Sequence, residues 1–351
     1  MCAAKLVKKT LLAGAAAIGV GAWAVAPRSV SSRAKYVQTA FPDLPFAHRG
    51  LHDAGSGLPA SGELSPEAAE YVQLARSMAA KAGFDPGAGA DTRASDSVAP
   101  ENSLAAFAAA CEAGYGIELD VQLTSDGQVV VIHDGTLQRV CGDPRSIREV
   151  TYEQLTHIPL FPRHSEGSED GNLEVHAEAD LRVSSDGDFQ HVPLLSDVLA
   201  LVDGRVPLIV EYKMGERLDK ELMVKTDTLL NAYNGWYCVE SFNPEAVNWY
   251  RRNRPEVIRG QLATPSSKRL RDVRSLDDFG RWGAGNLLMN WAGRPDFVAY
   301  EWHGGSRLPM KLSRALGATT VAWTIRSSED HVESLRSFDH IIFESFVPDW
   351  D

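Results

Sequence analysis

The sequence predicts an α/β protein whose short strands close into a parallel barrel, with inserted loops and an N-terminal hydrophobic leader. Three observations carry that prediction. After about Pro42, brief apolar runs alternate with helical patterns, as in parallel α/β architecture. Pro207–Lys213, Pro-Leu-Ile-Val-Glu-Tyr-Lys, is apolar until its charged end, like a doubly buried strand that delivers functional groups at its C-terminal rim. A length of 351 residues accommodates one barrel of about 250 residues plus insertions and a leader.

The elements follow in chain order. Residues 1–35 read as a leader. Lys5, Lys8 and Lys9 precede an uncharged run from Thr10 to Pro27, and Ala24-Val25-Ala26 resembles a small-residue cleavage site. The run is short and weakly hydrophobic for a membrane span. Arg28, Arg33 and Lys35 balance the lysines, so charge does not orient it. It is a signal peptide or an uncleaved anchor, with a buried Ala/Gly helix as the plainer alternative. Either of the first two places the catalytic part outside the cytosol, membrane-anchored or secreted.

Residues 43–349 form the barrel domain. Its expected strands are Pro45–His48, Gly116–Leu123, Val129–His133, Pro207–Lys213, Tyr237–Phe242, Val257–Leu262, Phe297–Trp302, Thr319–Ile325 and His340–Phe343. Helical patterns fill the gaps at Ser103–Ala113, Ser196–Val202, Glu216–Ala232 and Pro244–Asn253. Nine strands are one too many for an eight-stranded barrel. Thr124–Gln128 is too short for a helical crossover, and Ser125-Asp126-Gly127 are turn residues, so a hairpin arm is expected there. Its approximate register sets Glu118 opposite His133.

Two stretches, about 51–98 and 161–191, read as insertions. The first holds one helix, with Ser65 as N-cap, Pro66 at the first helical position and Gly83 closing it. Its apolar stripe is Tyr71, Leu74, Ala75 and Met78. The second is polar throughout.

A hydrophobic fraction of 44% and a charged fraction of 23% are those of a folded soluble protein. A formal net charge of −12 argues against nucleic acid as a partner. Apart from Cys2, the cysteines Cys111, Cys141 and Cys238 show neither zinc spacing nor an even disulfide framework, and read as small buried hydrophobes.

The chemistry concentrates in one stretch. Glu118, Asp120 and Gln122 share one face of a strand whose other face is Ile117, Leu119, Val121 and Leu123. Burying two carboxylates on a strand is costly unless a positive object sits between them, and a metal ion is the simplest one. With Glu211 from a second strand, three hard oxygen ligands suit Ca²⁺ or Mg²⁺ better than zinc. Arg49 and Lys213 supply positive charge for a phosphate. His48 and His133 can move protons near neutral pH. These are the parts for cleaving a phosphodiester. Each also has a structural reading: His48-Arg49 as a strand-end pair, Pro100-Glu101-Asn102-Ser103 as a helix start, His133 as a core histidine, Glu211 with Lys213 as a rim ion pair.

His48-Arg49-Gly50, Pro100 to Ser103, Glu118 to Val121, Thr124 to Gly127, His133-Asp134, Glu211-Tyr212-Lys213, Ser241-Phe242 and Ala322-Trp323-Thr324 stand in this order. In that order the chain, over about residues 45–348, resembles the glycerophosphodiester phosphodiesterases. The resemblance implies a TIM (β/α)8 barrel that hydrolyses small glycerophosphodiesters to glycerol 3-phosphate and an alcohol. It implies His48 and His133 as general acid and base, with a substrate glycerol hydroxyl as first nucleophile through a cyclic phosphate. Glu118, Asp120 and Glu211 match divalent-metal ligands, Arg49 and Lys213 phosphate contacts, and Glu101 a carboxylate that helps hold the site together. Trp323 follows a late barrel motif and lines the pocket, or is a core tryptophan. The chain departs from the family in the insert at 51–98 and in reading Glu-Tyr-Lys where an aliphatic residue is commoner. Two other readings compete: a barrel phospholipase acting on intact lipid, and a catalytically inactive binding or scaffold barrel. The N-terminal segment leaves membrane association as an expected partnership.

Overall fold

In the computed structural model of the protein, residues 19–37, 39–59, 63–84, 97–162, 189–267, 270–272 and 274–349 are described. Nine strands form one sheet: β1 Phe46–Ala47, β2 Gly116–Leu123, β3 Val129–Val131, β4 Leu208–Tyr212, β5 Tyr237–Ser241, β6 Arg259–Ala263, β7 Phe297–Glu301, β8 Thr319–Ile325 and β9 His340–Phe343. Eight are parallel neighbours in the order β1-β2-β4-β5-β6-β7-β8-β9, and β9 pairs back to β1, which closes the ring. The protein is a TIM barrel, and β3 is its extra antiparallel arm on β2.

Alternation along each strand divides the residues between two cores. The outward Ile117, Leu119 and Val121 join the large cluster that includes Ala106, Phe107 and Ala110 of the helix Leu104–Ala113. Ser103 starts that helix by accepting from the Ala106 N–H at 3.1 Å. Phe46, Ile209, Cys238, Phe297, Val321 and Ile342 form a separate cluster, the apolar filling of the barrel. Its lower end is aromatic, and the barrel makes room by omitting side chains. A Cβ on Gly260 would lie 2.2 Å from the Phe297 ring, and one on Gly116 2.5 Å from Phe46. Along these inward rows the filling turns polar at the C-terminal rim, where Glu211 follows Ile209, Glu240 follows Cys238 and Glu344 follows Ile342.

The hairpin exists, but its register is one residue from the expected one. Val121 faces Val131 and Leu123 faces Val129, so Glu118 is not opposite His133. The cause is the turn. Thr124 and Gln128 pair across a loop of Ser125, Asp126 and Gly127, with Gly127 at φ 74°. A three-residue loop ending in a left-handed glycine joins residues of like parity, whereas Glu118 opposite His133 would need an even loop. β3 also ends at Val131 rather than running to His133. Other differences are small. The helix expected from Glu216 starts at Lys220, where Asp219 caps it, and Cys111 is half-buried while Cys141 and Cys238 are buried.

The helix in the first insert spans Pro66–Lys81 and buries Ala68, Tyr71, Val72, Ala75 and Ala79, with Leu74 and Met78 at the edge of the core. The two ends of the insert are tied at one buried carboxylate. Asp53 accepts from Ser97 Oγ at 2.6 Å, the Val98 N–H at 2.8 Å, the Ala99 N–H at 3.0 Å and Arg76 Nε at 2.8 Å. Residues 85–96 of this insert, 163–188 of the second, and 1–18 of the leader lie outside the described residues.

Just after residue 18 the chain is seated on the N-terminal face of the barrel. Val25 belongs to the large core, and Asp296, immediately before β7, meets Arg28 at 3.2 Å and Arg33 at 3.2 Å. Among the described residues, no helix is long and apolar enough to cross a membrane.

Asp53→Ala would strand the half-buried Arg76 guanidinium and three other donors. A loss of about 3 kcal/mol is expected, read as a lower urea midpoint with an unchanged slope. An unchanged midpoint would mean that the clasp is not holding the insert.

Candidate active site

The polar rim encloses a cleft of about 230 Å³, lined by His48, Arg49, Glu118, His133, Glu211, Lys213 and Trp323 from the expected set, together with Ser56, Glu240, Phe242 and Arg326. Asp120 and Glu101 stand behind this wall, both ion-paired with Arg49: Glu101 Oε1 accepts from Nη1 at 2.9 Å, and Asp120 Oδ2 lies 3.4 Å from Nε. All nine expected residues are therefore gathered at one end of the barrel.

The carboxylates divide by their partners. Asp120 sits between Lys213 Nζ at 3.1 Å and Arg49, and accepts from Asn102 Nδ2 at 2.9 Å. Burial alone would raise its pKa, but these cations hold it well below the ordinary range. Lys213 also pairs with Glu211 at 2.8 Å. Glu118, Glu211 and Glu240 each offer an oxygen within 4.8 Å of the others, and all three are buried. Burial, then mutual repulsion, pushes Glu118 and Glu240 well above the usual carboxylate value. Burial raises Glu211 as well, against the opposing pull of Lys213.

Glu240 Oε2 is buried with no hydrogen-bond partner among the described residues. Three converging carboxylates with a spare buried oxygen are a donor set that fits a hard divalent cation. Asp120 adjoins this set but is engaged by Lys213, Arg49 and Asn102.

Both histidines are held the same way. His48 Nδ1 contacts Glu344 Oε2 at 2.5 Å, which leaves Nε2 toward the cleft, 3.9 Å from Glu118 Oε2. His133 Nδ1 contacts Asp134 Oδ1 at 2.6 Å. Gln122, on the same strand face as Glu118 and Asp120, donates from Nε2 to the carbonyls of Ile132, His133 and Asp134 and so fixes the His133 loop. A carboxylate on Nδ1 sets the tautomer and presents Nε2 for proton transfer.

Glu101 links the two histidines. It accepts from Arg49, from the Ser56 N–H at 2.6 Å, and from Arg139 at 3.0 and 2.5 Å. Arg139 Nε in turn donates to Asp134 at 2.7 Å, and Ser56 Oγ donates to Glu344 at 2.6 Å. Burial works against the Glu101 charge, yet the Arg139 bond and the Arg49 charge win and bring its pKa to about 2.

Sequence reasoning passed over Glu240, Glu344, Asp134, Arg139 and Ser56 as site residues. For two of them a signal existed. Glu240 and Glu344 each end an apolar strand at the inward parity that marks Glu211. Nothing local distinguishes Arg139 from a surface arginine.

Residues 92–341 match the model of the Glycerophosphoryl diester phosphodiesterase family. A glycerophosphodiester phosphodiesterase of Caldanaerobacter subterraneus is 29% identical over 46% of this chain, and the chain spans 61% of that protein's length. Human glycerophosphodiester phosphodiesterase 1 is 27% identical over 66% of this chain and 70% of its own length. Among solved structures, an Oleispira antarctica phosphodiesterase in complex with sn-glycerol-3-phosphate superposes with a TM-score of 0.54, at 17% identity, over 86% of this chain and 93% of that one. At that identity the likeness speaks for the fold.

A carboxylate held at about 2 contributes stability that is present above its unfolded pKa, about 4.3, and is lost as pH falls through about 2. Glu101→Gln is therefore expected to lower stability by about 3 kcal/mol at neutral pH. The gap to the parent should narrow as urea titrations move from about pH 5 to about pH 3. A gap that stays constant across that range would contradict the charge network.

Proposed function

The chain belongs to the glycerophosphoryl diester phosphodiesterase family, and from that premise we propose that it is a divalent-cation-dependent hydrolase. It would convert glycerophosphodiesters to glycerol 3-phosphate and an alcohol. The observation that carries this reading is the convergence of His48 and His133 on one cleft with three buried carboxylates and the cations Arg49 and Lys213.

Arg49 and Lys213 are proposed to hold the phosphate by charge and hydrogen bonds. Glu118, Asp120 and Glu211 are proposed to hold Ca²⁺ or Mg²⁺, with Glu240 completing the ring of hard oxygens. When bound, the cation would draw negative charge from the phosphoryl oxygens as it builds in the transition state. One histidine Nε2 takes the proton of an attacking glycerol hydroxyl of the substrate as the new P–O bond forms, and the other gives a proton to the departing alcohol oxygen as the old bond breaks, leaving a cyclic phosphate. With the histidine roles reversed, a water then adds to phosphorus and the ring P–O bond breaks, giving glycerol 3-phosphate. Glu344 and Asp134 keep the two imidazoles aimed.

A cleft of about 230 Å³ favours a diester stripped of acyl chains over intact lipid. Trp323 and Phe242, edge to face at 5.6 Å, supply an apolar wall for one end of it. Residues 43–349 are read as the catalytic domain, carried out of the cytosol by the leader of residues 1–35.

The test is glycerol 3-phosphate release from a panel of glycerophosphodiesters, with and without chelator. Release that stops on chelation and returns with Ca²⁺ or Mg²⁺ is expected; no release with any metal would sink the proposal and favour an inactive barrel. His48→Ala and His133→Ala should each lower turnover by at least about 10²-fold in a folded protein. Glu344→Gln should lower kcat by about 10- to 100-fold with KM little changed, while Glu344→Asp recovers part of it. Wild-type turnover in Glu344→Gln would remove that residue from the proton-transfer machinery.

A further inference from the structure

The N-terminal face of the barrel, opposite the cleft, groups side chains that water-facing surfaces seldom group. Trp23 and Trp291 are 54% and 43% exposed, yet their rings stack at 5.7 Å. The Arg294 guanidinium lies 4.9 Å over Trp23. Val20, one helical turn before Trp23, is 66% exposed. Arg251, exposed at the C-terminus of the helix Pro244–Asn253, adjoins the pair, its Nη1 donating to the carbonyls of Trp291 and Ala292, and Arg252 is exposed next to it in the chain.

Three acids at this end are already matched. Asp227 and Glu256 both accept from Arg254, and Asp296 is buried against Arg28 and Arg33. A chain of net charge −12 thus turns a basic, aromatic sector outward at one end. Residues 19–27, the end of an uncharged run in the sequence, join the fold at this same place. Paired tryptophans with arginines beside them match a membrane–water interface, where indole sits at headgroup depth and guanidinium meets phosphate.

We propose that this face rests on an anionic lipid bilayer, with Trp23 and Trp291 at headgroup level and Arg251, Arg252 and Arg294 against lipid phosphates. The surface includes Val20 and Trp23, so it requires a mature chain that keeps the residues before Pro27. The cleft at the other end of the barrel then opens away from that bilayer, and substrate reaches it from solution. The proposal is independent of the catalytic reading, because binding to lipid is measured without turnover.

Full-length protein is mixed with vesicles of phosphatidylcholine, with or without phosphatidylglycerol, and sedimented. Arg251→Glu with Arg252→Glu should weaken binding to anionic vesicles by at least about tenfold, taking about 1 kcal/mol per basic residue, and leave phosphatidylcholine binding unchanged. Trp291→Ser should weaken both. Neither variant should alter turnover, which separates loss of the surface from loss of the fold. Unchanged vesicle binding in both variants would overturn the proposal. So would a mature N-terminus at Pro27, or a lipid-free dimer that these substitutions dissociate.

Discussion

The mouth of this barrel is organised by a charge imbalance in a small buried volume. Glu118, Asp120, Glu211 and Glu240 project inward from three adjacent strands, while Lys213 and Arg49 are the cations in contact with them among the described residues. Carboxylates this close cannot all ionise in a low-dielectric setting, because their repulsion adds to the desolvation cost. The two cations settle on Asp120 and hold its charge. Glu118 and Glu240 are left with raised pKa values and a need for positive charge that the chain does not supply. The apolar filling beneath fixes the strands so that side chains cannot splay to relieve the strain.

Around this centre, polar contacts form a continuous path from one histidine to the other. It runs from His48 through Glu344, Ser56, Glu101, Arg139 and Asp134 to His133. Each carboxylate on the path accepts from at least two donors, so none rotates freely. The aim of both imidazoles thus depends on groups from β1, the first insert, the helix start at Glu101, the hairpin arm and β9. A site built this way is sensitive to changes remote from the phosphate, since one misplaced member shifts the next.

Much of this was legible in the sequence. Barrel strands covered on both faces read as apolar runs, which placed all nine strands within a few residues. Parity along β2 put Glu118, Asp120 and Gln122 on one face, and the short Thr124–Gln128 link required a hairpin. The register failed by one residue because a left-handed Gly127 closes a three-residue loop, and residue type alone does not fix loop count. Glu240 and Glu344 were missed although they repeat the pattern of Glu211: an apolar strand ending in an inward acid. Arg139 and Ser56 were not readable, because their roles arise only from long-range folding that brings separate loops to one rim.

The clasp at Asp53 has a consequence for how the first insert relates to the barrel. Its two ends meet at one carboxylate, so the chain leaves and re-enters within a few ångströms. A loop closed at its base transmits little of its length to what lies below, since loop entropy grows only with the logarithm of length. The helix Pro66–Lys81 between those ends packs Tyr71, Val72, Ala75 and Ala79 into the large core, and its Arg76 completes the clasp. Substitutions on the exposed face of that helix, at Ala69, Glu70, Gln73 and Ser77, should be tolerated by the barrel, while Asp53, Arg76 and Ser56 are part of the socket that holds it. Variation in this protein's surface chemistry therefore has a place to accumulate that leaves the geometry of proton transfer untouched.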